Sequence, residues 1–365
     1  MMKQLNKQIW ILMLLIGAVL VVACSGGGET AEPATDDHDS EQVAEGEDGH
    51  DHEDDHADEG EYLSLPELDA AALDGAPLKV VATTSIIGDV VAQVGGDAID
   101  LTVLMGPGQD PHSFEPSARL LTAVADAHVI FVNGWDLEEA LVHDLEEIGT
   151  GVPLLPISAN IEPLAFGEDD HEDEDEAEGE EHEHSGADPH VWLSIHNVAQ
   201  WVENVAQVLS DLDPANAAAY ESNATVYLAE LAELEGYAET QLAQVPADRR
   251  FLVTNHSSLA YFAHEYDFTI LGTVIPGSST LAEPSASDLT ALIAAMEGQG
   301  ICTMFTETAV SDSLAQTVAG ELNECDEVQV VPLYTGALGL AGSGADNYIG
   351  MFRANVDTIV EGLSQ

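Results

Sequence analysis

Three histidines come directly after predicted strands, at the kind of junction where ligands collect in α/β proteins. They are His112, His190 and His256, and Asp346 stands at a comparable junction near the carboxyl terminus. Neutral imidazoles and a carboxylate are donors that a tetrahedral Zn²⁺ ion accepts. If the two parts of the chain that carry these residues face each other, the four side chains converge on one metal-binding cleft.

The spacing alone leaves other interpretations open, because single buried or surface histidines are common in proteins. Four further histidines are interpreted in that way: His128, His143, His196 and His264. A zinc hydrolase is the enzymatic alternative, with Glu115 or Glu307 as its base. Four protein ligands, however, leave no position for an activated water, whereas a catalytic zinc ion keeps one open. The donor set therefore favours binding over catalysis, and Glu307 is interpreted as a partner that orients a ligand.

Two acidic tracts, residues 24–77 and 167–187, are rich in histidine. Their histidines are His38, His50, His52, His56, His171, His182 and His184. The first tract has almost no large apolar side chains and is predicted to be a disordered tether. The second is a long loop of the functional or disordered kind. Imidazoles and carboxylates on a flexible chain attract transition metals loosely. A solvated acidic linker and a surface metal buffer or adhesin are the alternatives.

A long helical pattern over residues 213–245 separates two similar parts of the chain. Its apolar residues recur every three or four positions: Tyr220, Ala224, Tyr227, Leu231, Leu234, Ala238, Leu242 and Val245. Asp213 is predicted to cap this helix, with Pro214 in its first turn and Pro246 beyond its end. We interpret the helix as a spine that braces two α/β halves. The alternative is a long surface helix within a single domain.

Short β-branched runs alternate with helical patterns on both sides of the spine. The predicted strands cover residues 78–84, 99–105, 129–133 and 152–157 before it, and 251–254, 268–274, 301–306 and 328–333 after it. We therefore expect one lobe over residues 78–212 and a second over residues 246–365, each contributing metal ligands.

The amino terminus is predicted to be an export signal. A charged segment, an apolar stretch too short for a comfortable membrane span and a small residue precede Cys24. The segment resembles a bacterial lipoprotein signal, in which residues 1–23 are removed and Cys24 becomes the lipidated first residue. The mature protein would then be anchored outside the cytoplasmic membrane by its acyl chains. A plain signal peptide with an incidental cysteine is the alternative.

Charge and cysteine content narrow the function further. The chain has 68 acidic residues against 7 Lys and Arg, a formal net charge of −61. Nucleic acid is excluded as a partner, because no basic patch is available to neutralise phosphates. After Cys24, an even pair remains, Cys302 and Cys325. In an exported protein this pair favours a disulfide, with two buried thiols as the alternative.

Several motifs fall in the order and spacing of a known family. They are Asp110-Pro111-His112-Ser113-Phe114-Glu115-Pro116-Ser117, Asn133-Gly134, Asp188-Pro189-His190-Val191-Trp192-Leu193-Ser194, Asn255-His256 with Tyr261-Phe262, Phe305-Thr306-Glu307, and Tyr348 with Arg353 and Asn355. Over about residues 78–364 the chain resembles the zinc and manganese solute-binding lipoproteins of ABC transporters. The resemblance implies two Rossmann-like lobes with mostly parallel sheets, joined by a rigid helix. It also implies a monomer that delivers metal to an ABC permease.

The same resemblance implies one metal ion in the cleft, held by residues His112, His190, His256 and Asp346. The family's variable third ligand corresponds here to His256, so the implied set has three imidazoles and one carboxylate. Imidazoles suit Zn²⁺, whereas Mn²⁺ favours oxygen donors. We therefore expect zinc uptake, with manganese as the alternative. The overall acidity and the second histidine-rich tract depart from the usual family pattern.

Overall fold

The computed structural model describes residues 62–165 and 186–364. The leader, Cys24 and every histidine of the two acidic tracts lie outside this part of the chain. Within it, no helix is both long enough and apolar enough to cross a membrane.

The first lobe is a four-stranded parallel sheet with helices on its faces. Its strands are β1 (Leu78–Ala82), β2 (Ile99–Val103), β3 (Val129–Val132) and β4 (Leu154–Pro156), in the order β2-β1-β3-β4. Its helices are α1 (Ser85–Gly95), α2 (Ala118–Ala125) and α3 (Glu139–Ile148). All four residues of β3 are buried, as a central parallel strand covered on both faces requires.

The second lobe repeats this arrangement. Its strands are β5 (Phe251–Thr254), β6 (Thr269–Thr273), β7 (Thr303–Glu307) and β8 (Gln329–Leu333), parallel and in the order β6-β5-β7-β8. Its helices are α6 (Ala260–Glu265), α7 (Ala286–Gln299), α8 (Ser313–Glu321) and α9 (Tyr348–Leu363). The α/β fold with two parallel-sheet lobes is therefore confirmed. Cys302, next to the start of β7, forms a disulfide with Cys325, at a Cα–Cα distance of 5.8 Å.

The lobes are connected by two helices that lie between them in the chain, α4 (Ile195–Leu212) and α5 (Ala217–Leu242). The predicted apolar stripe of the spine is buried, since its residues from Tyr220 to Leu242 pack inward. Helix α5 packs against α1 and α4 of the first lobe and against α9 of the second. One continuous apolar core consequently runs through both lobes, from Leu78 to Leu363.

The spine helix begins four residues later than predicted, because Asp213 does not cap it. Asp213 instead ends α4, where its amide donates to the carbonyl of Leu209. Its buried carboxylate accepts hydrogen bonds from Asn216 Nδ2 at 2.7 Å and from the Tyr220 hydroxyl at 3.0 Å. The carboxylate thus holds the tight turn between the two helices rather than the free amides of α5.

The predicted disordered tether over residues 24–77 is wrong in its last part. Residues 62–77 are ordered and lie along the lobes. Leu65 and Leu68 pack on the core, and backbone hydrogen bonds join Ala71 N to Leu212 O and Asn160 N to Leu63 O, at 2.8 and 2.9 Å. The apolar residues scattered through this segment therefore bury enough surface to hold it against the folded protein. The acidic composition of the tract as a whole did not indicate this.

Candidate metal centre

The three histidines singled out in the sequence meet between the lobes. His112 lies in the loop between β2 and α2, His190 leads into α4, and His256 follows β5. The Nε2 atom of His190 lies 3.3 Å from Nε2 of His112 and 3.0 Å from Nε2 of His256. In a tetrahedral zinc site with Zn–N bonds of about 2.05 Å, neighbouring nitrogens are about 3.3 Å apart. All three side chains offer donor atoms within 4.8 Å of one another. They are therefore close enough to bind one first-row metal ion.

The same local device fixes two of these histidines. In each Asp-Pro-His segment the aspartate Oδ1 accepts a hydrogen bond from the histidine amide two residues on. The distance is 3.1 Å from Asp110 to the amide of His112 and 2.9 Å from Asp188 to that of His190. The repeated sequence Asp-Pro-His is thus a turn that aims an imidazole.

The three imidazoles are buried between the lobes. The side chains are 3 %, 1 % and 2 % exposed for His112, His190 and His256. Burial, together with the neighbouring His190 and His256, lowers the pKa of His112 to about 2. A protonated imidazole cannot donate to a metal. At neutral pH the ring of His112 is therefore ready to bind without first losing a proton.

Two carboxylates hold the outer nitrogens of the cluster. His190 Nδ1 lies 2.8 Å from Asp188 Oδ1, and His256 Nδ1 is hydrogen-bonded to Glu307 Oε1. The other Glu307 oxygen accepts a hydrogen bond from the Thr335 hydroxyl at 2.6 Å. Burial alone would raise the pKa of Glu307, but His256 and the hydrogen bonds from His256 and Thr335 lower it overall. Such carboxylates set the tautomer that leaves Nε2 free for a metal.

Asp346 does not join this cluster. It is exposed, and its Oδ2 accepts a hydrogen bond from the amide of Gly342 at 2.8 Å. The glycine-rich turn before α9 folds back on itself and keeps the carboxylate there. Among the described residues, the carboxylates hydrogen-bonded to the imidazole rings of the cluster are Asp188 and Glu307.

Contacts between the lobes close the cluster off from solvent. The Thr280 hydroxyl donates to Asp110 Oδ2 at 2.6 Å, and the amide of Gly108 donates to the carbonyl of Leu338 at 3.2 Å. Sequence reasoning missed these residues, because neither Thr280 nor Leu338 carries a side chain typical of a metal ligand. A signal was nevertheless present, since their loops leave the carboxyl ends of second-lobe strands, where His256 also lies.

Known proteins share this chain's sequence and fold. Residues 80–362 match the family described as zinc-uptake complex component A, periplasmic. The manganese-binding lipoprotein MntA of Halalkalibacterium halodurans is 34 % identical over 292 residues, which cover 80 % of this chain and 90 % of MntA.

Solved structures give the same result. The periplasmic zinc-binding protein TroA of Treponema pallidum superposes with a TM-score of 0.70 at 26 % identity, over 80 % of this chain and all of TroA. A Mn-bound periplasmic metal-binding protein of Candidatus Liberibacter asiaticus superposes with a TM-score of 0.67 at 27 % identity, over 78 % and 98 % of the two chains. The members of this family bind substrates for ABC transporters and are not enzymes. The chain therefore belongs to the family of substrate-binding lipoproteins that serve metal ABC transporters.

Proposed function

We propose that this protein captures zinc outside the cytoplasmic membrane and delivers it to an ABC permease for import. The observation that carries the proposal is the meeting of three buried Nε2 atoms, His190 lying 3.0 and 3.3 Å from its two neighbours. Three imidazoles are a nitrogen-rich donor set, which suits Zn²⁺ better than ions that favour oxygen. The third imidazole, His256, carries most weight, since a carboxylate there would favour Mn²⁺.

The proposed ligands are His112, His190 and His256. The fourth position of a tetrahedral ion is filled in this proposal by water, because the two oxygens of Glu307 are held by His256 Nδ1 and by Thr335. Asp346 is not part of the proposed set, because its carboxylate is held at the protein surface. Delivery rests on an anchor at Cys24, which keeps the protein beside its permease, and on a single chain acting as the carrier.

The test is competition for the metal, followed by growth. A protein without both histidine-rich tracts is titrated with Zn²⁺ and Mn²⁺ against chelators of known affinity. Because the Irving–Williams order places Zn²⁺ above Mn²⁺ at almost any such site, affinity alone does not decide the cargo. A strain that lacks the gene is therefore starved of each metal in turn. A growth defect under zinc starvation supports the proposal, and rescue by added manganese alone would overturn it.

Manganese is the second candidate, and one observation favours it. The relative with 34 % identity carries the name of a manganese-binding lipoprotein, and one similar structure is of a Mn-bound protein. Under this alternative, waters supply the oxygen donors and complete a larger coordination shell. Elemental analysis of protein purified from medium with equal amounts of both metals separates the two candidates.

A further inference from the structure

Asn133 is a buried residue at the end of β3 that touches none of the three Nε2 donors. It is 0 % exposed. Its Nδ2 donates hydrogen bonds to the carbonyl of Pro189 at 2.8 Å and to that of Gly134 at 3.0 Å. The first of these contacts spans 56 residues of sequence and reaches the segment that carries His190.

The contact with Pro189 completes the fixation of one peptide group. The carbonyl of Pro189 and the amide of His190 belong to the same planar unit. The amide donates to Asp188 Oδ1 at 2.9 Å, while the carbonyl accepts from Asn133. With both ends of the plane held, the nitrogen and Cα of His190 are fixed in place, while the contact of Nδ1 with Asp188 holds the ring.

Asn133 is in turn held by a buried acid. Its backbone amide donates to Glu138 Oε1 at 2.9 Å, and the Thr83 hydroxyl donates to the same oxygen at 2.5 Å. Thr83 follows β1, so Glu138 joins the carboxyl ends of two neighbouring strands. The position of Asn133 is thus set by the sheet itself and is passed to His190 through Pro189.

We infer that Asn133 is a positioning residue for metal binding, which holds the Pro189–His190 peptide so that the imidazole of His190 meets the other two donors. The inference rests on the proposed metal-binding function and adds a residue to it. Loss of a partner that orients a ligand typically weakens metal binding 10- to 100-fold. Removal of the Asn133 amide should therefore reduce affinity although no ligand has been touched.

The chain offers a matched control in Asn204. It is also buried, at 2 % exposure, lies in the same lobe and donates through Nδ2 to two backbone carbonyls, those of Ile157 at 2.8 Å and Ala159 at 2.6 Å. Neither carbonyl belongs to a residue next to a histidine of the cluster. The Oδ1 atom of Asn204 also accepts hydrogen bonds from Asn160 and Gln200, both at 3.1 Å. Asn204→Ala should therefore lose at least as much stability as Asn133→Ala, and the two should differ in their effect on the metal.

Both variants are made in protein without residues 168–184, so that the loop histidines do not contribute. Zn²⁺ affinity is measured by chelator competition, and the ligand field by the visible absorption of bound Co²⁺. We expect the Kd of Asn133→Ala for Zn²⁺ to rise 10- to 100-fold with a shifted Co²⁺ band. Asn204→Ala should keep the wild-type band and a Kd within about threefold, while its melting temperature falls at least as far as that of Asn133→Ala.

A wild-type Kd and Co²⁺ band in Asn133→Ala would overturn the inference, as would an equal loss of affinity in Asn204→Ala. If Asn133→Ala does not fold, Asn133→Ser replaces it, because serine is too short to reach the carbonyl of Pro189. His190→Ala separates this failure from that of the proposed function. Full zinc binding by His190→Ala refutes the ligand set, whereas loss in His190→Ala with retention in Asn133→Ala refutes the positioning role alone.

Discussion

Replacing Glu307 by Gln should weaken zinc binding while leaving the fold unchanged. The side chain is 6 % exposed and accepts hydrogen bonds from His256 Nδ1 and from Thr335. Glutamine has the same shape and can still accept from His256, so the substitution removes the charge rather than the geometry. A neutral acceptor makes the imidazole a weaker donor to the metal. We expect the Kd for Zn²⁺ to rise 10- to 100-fold, which corresponds to about 1.4–2.8 kcal/mol.

The assay is chelator competition on protein without residues 168–184, with Asp346→Asn as the control. Asp346 is also a carboxylate of the second lobe, but it is exposed and held by the amide of Gly342. Its replacement should change the Kd by less than about threefold, as expected of a surface charge. If Glu307→Gln binds zinc as tightly as wild type, the carboxylate does not tune His256. If Asp346→Asn loses as much affinity as Glu307→Gln, Asp346 is a ligand and the arrangement of the glycine-rich turn changes on binding.

Three further predictions concern the loop, the closure of the cleft and a buried acid. Deletion of residues 168–184 should remove the weak metal sites in a calorimetric titration and spare the strong one, because Ala165 and Ala187 already pair at the base of the loop. Loss of the strong site would mean that a loop histidine is a ligand. Thr280→Val removes the hydrogen bond to Asp110, so the rate of Zn²⁺ release to a chelator, measured by stopped flow, should rise about tenfold. An unchanged rate would mean that this contact does not limit release. Burial raises the pKa of Glu138 from 4.5 to about 6, so the folded state binds this proton more tightly than the unfolded state. Stability of the metal-free protein should therefore fall by about 2 kcal/mol as pH rises from roughly 4.5 to 6. The urea midpoint of Glu138→Gln should not show this decline with pH, whereas that of the wild type should. An identical pH dependence in both proteins would mean that Glu138 does not cause the decline.

The sequence predicted the fold well because its signals were local. Alternating strand and helix patterns located all eight described strands, and the apolar stripe of α5 was buried from Tyr220 to Leu242. The start of α5 was misplaced because the sequence around Asp213 is compatible with two positions for this residue. It could cap the start of the next helix or end the previous one. The choice between them depends on the tertiary contact with Tyr220, which no local pattern reveals.

The candidate site was predictable where a motif fixed its own geometry. His112 and His190 lie in Asp-Pro-His turns, and the turn itself aims the imidazole. Asp346 had no such support, since its placement rested on position in the chain and on the resemblance. Its carboxylate is captured by the amide of Gly342, a contact set by the glycine-rich turn. Asn133 could be recognised from the sequence as part of a motif. Its hydrogen bond to the carbonyl of Pro189, however, depends on how β3 lies beside the segment before α4.

The continuous apolar core has a consequence for the lifetime of the protein. Since α5 packs on helices of both lobes and one core runs from Leu78 to Leu363, the lobes should unfold together in a single cooperative transition. A metal ion bound between the lobes then raises the free energy of unfolding of both lobes together. At a free metal concentration 1,000 times the Kd, the gain is about 4 kcal/mol. Proteases that act on the unfolded chain would therefore remove the metal-free protein in preference to the metal-bound one, so that the amount of protein follows the supply of the metal it binds.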